Sequence, residues 1–154
     1  MAGRELVIRS ATESDVQAAY GLMAELGYPD LSMASFAKTY AAVLKNPAMT
    51  LIVAEDENGG IVGLASISRR PQLRLKADLV TIDELVVPAH ARGLGVGSAL
   101  LEHAKEIAEN SGAGRLELET NRGRESYRRQ FYIKNGFTEA DSAVMRIEYG
   151  SDDE

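Results

Sequence analysis

Apolar residues along this chain recur at two spacings, one helical and one alternating, and the order in which the spacings change predicts the elements. Leu6, Val7 and Ile8 form a short β-prone run. Thr12, with Asp15 three residues later, has the form of an acid-ended capping box and predicts a helix start. Val16, Ala19, Leu22, Met23 and Leu26 then follow at helical spacing, and Gly27 with Pro29 supplies the stop. The spacing predicts a second helix over 33–44, closed by Asn46 and Pro47. Strands are predicted over 50–55 and 61–68, joined by the turn Asp56-Glu57-Asn58-Gly59-Gly60.

A longer strand is predicted over 78–87, then a helix over 98–109 that turns Leu100, Ala104, Ile107 and Ala108 toward a sheet. Leu116 and Leu118 alternate with Arg115, Glu117 and Glu119 in a half-buried strand. A helix from about Glu125 ends at Lys134-Asn135-Gly136-Phe137, where Gly136 can turn left-handed and Phe137 can fold back toward Phe131 and Tyr132. A final strand is predicted over 142–149. The order is that of a mixed α/β fold, with a parallel pair where strand, helix and strand succeed one another.

The 154 residues, 45% hydrophobic and 26% charged, suit one domain with its own core, here 1–149, followed by an acidic tail over 150–154. No apolar run approaches the roughly 20 residues of a membrane span, and the first residues lack a secretory pattern, so a cytoplasmic protein with no membrane partner is expected. The absence of cysteine excludes disulfides, thiolate metal sites and a thiol nucleophile. The two histidines, His90 and His103, offer no metal-ligand spacing, so no metal is expected. A net charge of -6 argues against nucleic-acid binding and suits a cationic ligand such as an amine.

The chemistry concentrates at Arg92-Gly93-Leu94-Gly95-Val96-Gly97-Ser98, between a predicted strand and a predicted helix. Backbone N–H groups converge on an anion at such a helix start, and glycines let phosphate oxygens approach them. Arg92 adds a charge-assisted donor. The alternative, a tight turn without a ligand, explains one glycine better than three. A P-loop is excluded by the missing Gly-Lys-Ser/Thr ending, and the dinucleotide fingerprint by Ser98 where it requires glycine or alanine.

Glu84-Leu85-Val86-Val87-Pro88 followed by Arg92-Gly93-Leu94-Gly95-Val96-Gly97 resembles the central Q/R-x-x-G-x-G/A motif of the GCN5-related N-acetyltransferases. Phe131-Tyr132-Ile133-Lys134-Asn135-Gly136-Phe137 resembles their C-terminal aromatic-Tyr-x-x-x-Gly-Phe motif. The resemblance implies that acetyl-CoA lies between two splayed parallel strands. Its pantetheine arm pairs with the backbone of Leu85, Val86 and Val87, and its pyrophosphate meets the amides of Arg92, Gly93, Leu94, Gly95, Val96 and Gly97. Ser98 is an extra donor, and Asn121 lies near an asparagine that contacts the coenzyme in this family.

An acceptor amine with a pKa near 10 arrives protonated, so a base must act before it attacks a carbonyl. The resemblance offers Glu84, directly or through water, with Asp83 second; the alternative for Glu84 is a solvated strand carboxylate. A strand amide near Val86 can donate to the oxyanion, and Tyr132 matches the general acid that protonates the leaving thiolate. The basic run 69–76 reads as a solvated loop bordering the acceptor side by resemblance, while Arg128 and Arg129 read as exposed on the last helix or, as the alternative, within reach of a coenzyme phosphate. Tyr20, Tyr28 and Tyr40 read as core or, by resemblance, as acceptor lining. The expected activity is acetyl transfer to an amine of a small molecule or peptide; the alternative is a non-catalytic acyl-CoA sensor. Homodimers recur in the family, and no feature here sets the oligomeric state.

Overall fold

The computed structural model describes residues 5–150. The chain divides into two compact units, Met1–Glu119 and Thr120–Glu154. The first contains β1 (Val7–Ser10), α1 (Val16–Leu26), α2 (Met33–Lys45), β2 (Met49–Glu55), β3 (Ile61–Gln72), β4 (Ala77–Val86), α3 (Val96–Asn110) and β5 (Arg115–Leu118). Its sheet runs in the order β1-β2-β3-β4-β5. β1 and β2 pair antiparallel across the connection that holds α1 and α2, short connections make β2–β3 and β3–β4 antiparallel, and the crossover through α3 makes β4–β5 parallel. The mixed α/β fold and its element order agree with the sequence pattern, with β3 running four residues beyond the expected end at Ser68.

The two faces of the sheet have different cover. Leu51, Val53, Leu64 and Val86 share one buried cluster with Ala19, Leu22 and Met23 of α1 and Tyr40 of α2. On the opposite face a Cβ at Gly63 would lie 2.8 Å from Val96 Cγ1 and 3.0 Å from Leu100 Cδ1 of α3. No side chain fits at Gly63, so α3 can press directly on β3, burying Leu100, Leu101 and Ala104 completely.

The start of α1 is clamped to the sheet edge. The Arg9 guanidinium forks onto the Asp15 carboxylate, with Nη1–Oδ2 2.8 Å and Nη2–Oδ1 2.9 Å, and its Nε donates to Glu55 at 3.0 Å. Asp15 also accepts from the Thr12 backbone N–H at 2.8 Å, which is the acid-ended capping arrangement read from the sequence. The Tyr40 hydroxyl donates to the Thr12 carbonyl at 2.6 Å and so ties α2 to the same corner.

Among 120–150, α4 (Glu125–Arg128) and α5 (Phe131–Lys134) replace the single predicted helix. The break falls at Gln130, which is left-handed at φ 59° with no glycine or proline to announce it. The helix end was legible: Gly136 has φ 93°, the Phe137 N–H donates to the Tyr132 carbonyl at 3.0 Å, and the two rings meet edge-on at 6.1 Å. The strand expected over 142–149 does not form. The alternation is present, but a strand needs a neighbour for its N–H and C=O groups, and 138–150 pairs with no strand among the described residues; Met145, Ile147 and Tyr149 are exposed. Residues 151–154 of the expected tail lie outside the described residues.

The Arg9 hydrogen bonds, outweighing desolvation, pull the Asp15 pKa down from 3.8 to about 2. A carboxylate with a folded pKa below its unfolded one stabilises the fold above the unfolded value and loses that contribution as pH falls through the folded one. The stabilisation, about 2 kcal/mol, is therefore complete above pH about 5 and fades toward pH about 2. Asp15→Asn is expected to lower stability by about 2 kcal/mol in urea unfolding at neutral pH. The gap from the wild type should shrink on acidification, and a gap independent of pH would exclude this origin.

Candidate active site

The site begins where β4 and β5 part. They pair from Leu79↔Arg115 to Ile82↔Leu118, after which β4 runs on to Val86 with no strand on that side among the described residues. The β5-side backbone edge of β4 from Asp83 onward is thus not used by the sheet. Leu85 and Val87 are half-buried and Val86 is buried.

At the same point β4 carries an extra residue. Glu84 lies opposite Ser66 and Ile82 opposite Ile67, so Asp83 has no opposite number. A β-bulge of this kind reverses the alternation. Glu84 therefore shares a face with Val86, Thr81 and Leu79, and on β3 with Leu64, Ser66, Ser68 and Arg70. This is the face that α1 and α2 cover around Leu64 and Val86.

Asp83 is exposed, whereas Glu84 is half-buried, and its backbone N–H donates to Ser66 Oγ at 3.1 Å. Burial, reinforced by the nearby Asp83 charge, raises the Glu84 pKa above 4.5. Thr81 Oγ1 on the same face is buried and has no hydrogen-bond partner among the described residues.

The glycine turn leads into α3. Gly93 and Gly95 are left-handed at φ 80° and 82°, and a Cβ at either would meet nothing within 4 Å. Backbone conformation, and not crowding within the chain, is what calls for glycine there. Gly95 caps α3, whose first intrahelical bond is Ala99 N–H to Gly95 C=O at 3.0 Å. The N–H groups of Val96, Gly97 and Ser98 precede that bond, at the positive end of a 15-residue helix. Leu94 is exposed beside them. Arg92 is exposed; its Nε donates to the Val87 carbonyl at 3.1 Å, and its Nη2 lies 3.4 Å from Glu25 of α1.

Asn121 and Tyr132 belong to the second unit. Asn121 Oδ1 accepts from the Gly123 N–H at 2.7 Å in a local turn. Tyr132 is half-buried between Phe131 and Phe137. Burial raises its pKa above 10, against opposing effects of Arg124, Ser126 and Arg129, so its phenol is protonated at neutral pH.

The sequence reading missed that Ser66, Ser68, Thr81 and Arg70 share a face with Glu84, because that face depends on the bulge. Among the described residues, no group of three or more His, Cys, Asp or Glu could hold a metal ion, and no helix is long and apolar enough to cross a membrane.

A strand edge left open where β4 outruns β5, followed by a glycine turn that opens a helix, is an arrangement suited to an acyl-coenzyme A. The Acetyltransferase (GNAT) family model matches residues 13–137, and the chain belongs to that family. It is an acetyl-CoA-dependent N-acetyltransferase. It is 35% identical over 133 residues, 86% of this chain and 85% of the relative, to an aminoalkylphosphonate N-acetyltransferase of Salmonella typhimurium. An acetyltransferase of Trypanosoma brucei superposes with a TM-score of 0.77 at 28% identity, covering 94% of this chain and all of that one. An aminoglycoside N-acetyltransferase solved with CoA shares the fold, with a TM-score of 0.82 at 17% identity over 96% of this chain and 97% of that one.

The unpaired Thr81 hydroxyl costs stability that a valine of nearly equal size would not. Thr81→Val is expected to leave the fold intact and raise unfolding stability by up to about 1 kcal/mol, read in urea. A loss of more than that would show that the hydroxyl has a partner.

Proposed function

We propose that this enzyme transfers the acetyl group of acetyl-CoA directly to the primary amine of a small molecule that also carries an acidic group, with aminoalkylphosphonates as the leading class. The observation that carries this reading is Glu84, a half-buried carboxylate of raised pKa on β4 where the strand loses its β5 neighbour. Similarity to the aminoalkylphosphonate enzyme supports the acceptor class. The β4 edge left open beyond the end of β5 and the glycine turn fit the coenzyme: the edge at Leu85, Val86 and Val87 offers hydrogen bonds to pantetheine. The amides from Gly93 to Ser98, with Arg92, offer them to the pyrophosphate. Acetyl-CoA supplies the activated acyl group.

The chain's own residues handle protons. Glu84 accepts one from the acceptor ammonium, directly or through water, and its raised pKa brings it closer to the basicity needed. Tyr132, protonated at neutral pH, is the proton donor for the departing sulfur, and Asn121 is a further coenzyme contact. The test is thiol release from acetyl-CoA with a panel of amines, alongside thermal unfolding with coenzyme. Release with amines is expected. Stabilisation without release from any amine would favour an acyl-CoA sensor instead.

Two substitutions probe the roles. A base must be deprotonated, so kcat/KM should fall on the acid side at a pH above the ordinary carboxylate range, following the upward shift of Glu84. Glu84→Gln should lower kcat by about a hundredfold or more and abolish that limb; a retained limb assigns it to another group. Tyr132→Phe should reduce kcat about tenfold with little change in KM for acetyl-CoA, since the ring remains. Unchanged kcat would exclude the acid role.

A further inference from the structure

The covered face of the sheet is polar along one line, and the two ends of that line carry opposite charge. Register sets the rows. Ser66 of β3 faces Glu84 of β4. The next row joins Ser68, Thr81 and Glu117, and the one after it Arg70, Leu79 and Arg115. Carboxylates thus occupy the end where β4 and β5 part, and guanidiniums the other.

The two arginines on adjacent positions of β3 differ in circumstance. Arg69, on the α3 face, lies 3.4 Å from Asp78. Arg70 is exposed and has no ion-pair partner among the described residues. Arg115 is only loosely engaged, 3.8 Å from Glu117. A guanidinium presents a planar fork of donors that suits a phosphonate, phosphate or carboxylate group. Four residues of strand put the Cα atoms of Ser66 and Arg70 about 13 Å apart, a span that two long side chains can narrow to the length of a small bifunctional molecule.

We propose that Arg70 is the specificity-determining residue for the acceptor: it receives the acceptor's anionic group while the amine lies at Glu84, with Ser68 between them and Arg115 adding positive charge. The acceptor is therefore zwitterionic, and its charge order is antiparallel to that of the sheet face. This rests on the acetyl-transfer reading above and assigns the residue that selects the substrate.

The test measures thiol release at saturating acetyl-CoA with 2-aminoethylphosphonate and with propylamine, which lacks the anion. The wild type should prefer the phosphonate by about tenfold or more in kcat/KM. Arg70→Ala should erase most of that preference by raising KM for the phosphonate, leaving KM for acetyl-CoA and kcat/KM for propylamine unchanged. Arg70→Lys should restore part of it, since the charge returns without the fork.

Equal loss for both amines, or none for either, overturns the assignment of Arg70; thermal unfolding of the variants separates the first case from misfolding. A wild type that treats both amines alike overturns the anion subsite and leaves acetyl transfer standing. A wild type that acetylates no amine overturns the acetyl-transfer reading, and the subsite with it.

Discussion

One extra residue in β4 governs how chemistry is distributed over this sheet. With Asp83 left unpaired between Ile82 and Glu84, the side-chain alternation reverses within the strand. In a regular strand Glu84 would follow Val80 and Ile82, both buried on the α3 side of the sheet, where burial penalises an ionised carboxylate. The bulge moves it to the side where Ser66, Ser68 and Thr81 stand. It also marks the last pair between β4 and β5, Ile82↔Leu118, so the carboxylate and the open strand edge begin at one point in the chain.

That arrangement depends on how the two faces are covered. On one, Gly63 allows α3 to settle against β3, which fixes where the glycine turn delivers the first helical amides. On the other, the Arg9 fork to Asp15 holds the beginning of α1 to β1, and the Tyr40 hydroxyl brings α2 to the same corner. The Arg9–Asp15 pair is bidentate and part-buried, with the carboxylate the more enclosed partner, the circumstances in which an ion pair has measurable weight. The Arg92–Glu25 contact, exposed on both sides, contributes little stability by comparison, yet it joins α1 to the glycine turn.

The legible parts of the sequence were those with local causes. Thr12 with Asp15, Gly27, the Asp56 turn and Gly136 with Phe137 each end or begin an element through contacts a few residues apart, and the structure has them. The motif around the glycines pointed to a strand, turn and helix, and those elements are there. Longer-range causes were not visible. Asp83 and Glu84 read as neighbouring strand carboxylates, because which of them leaves the pairing is decided by β3. The alternation over 142–149 records a preference for a strand, but pairing needs a second strand, which lies outside what the segment encodes. The basic run 69–76 read as uniformly solvated; only the register separates Arg69, opposite Val80 and within 3.4 Å of Asp78, from Arg70, opposite Leu79.

The solvation of Arg70 limits how strongly this face can discriminate. Rejection by four or five orders of magnitude, as in sites that bury their polar groups, arises because an analogue lacking the matching group leaves those polar groups unpaired and dry. Arg70 is exposed, so with a plain alkylamine bound its guanidinium stays hydrated and the complex carries no such penalty. In the proposed complex, discrimination comes only from what the acceptor's anion gains there, a charge-assisted pair screened by water, on the order of 1–2 kcal/mol. Glu84 is half-buried, and an acceptor without a cationic nitrogen would leave its carboxylate partly desolvated and unmatched. Under the proposed assignment the two ends of the polar line therefore work differently: the amine end excludes molecules that lack the reacting group, while the arginine end ranks those that have it.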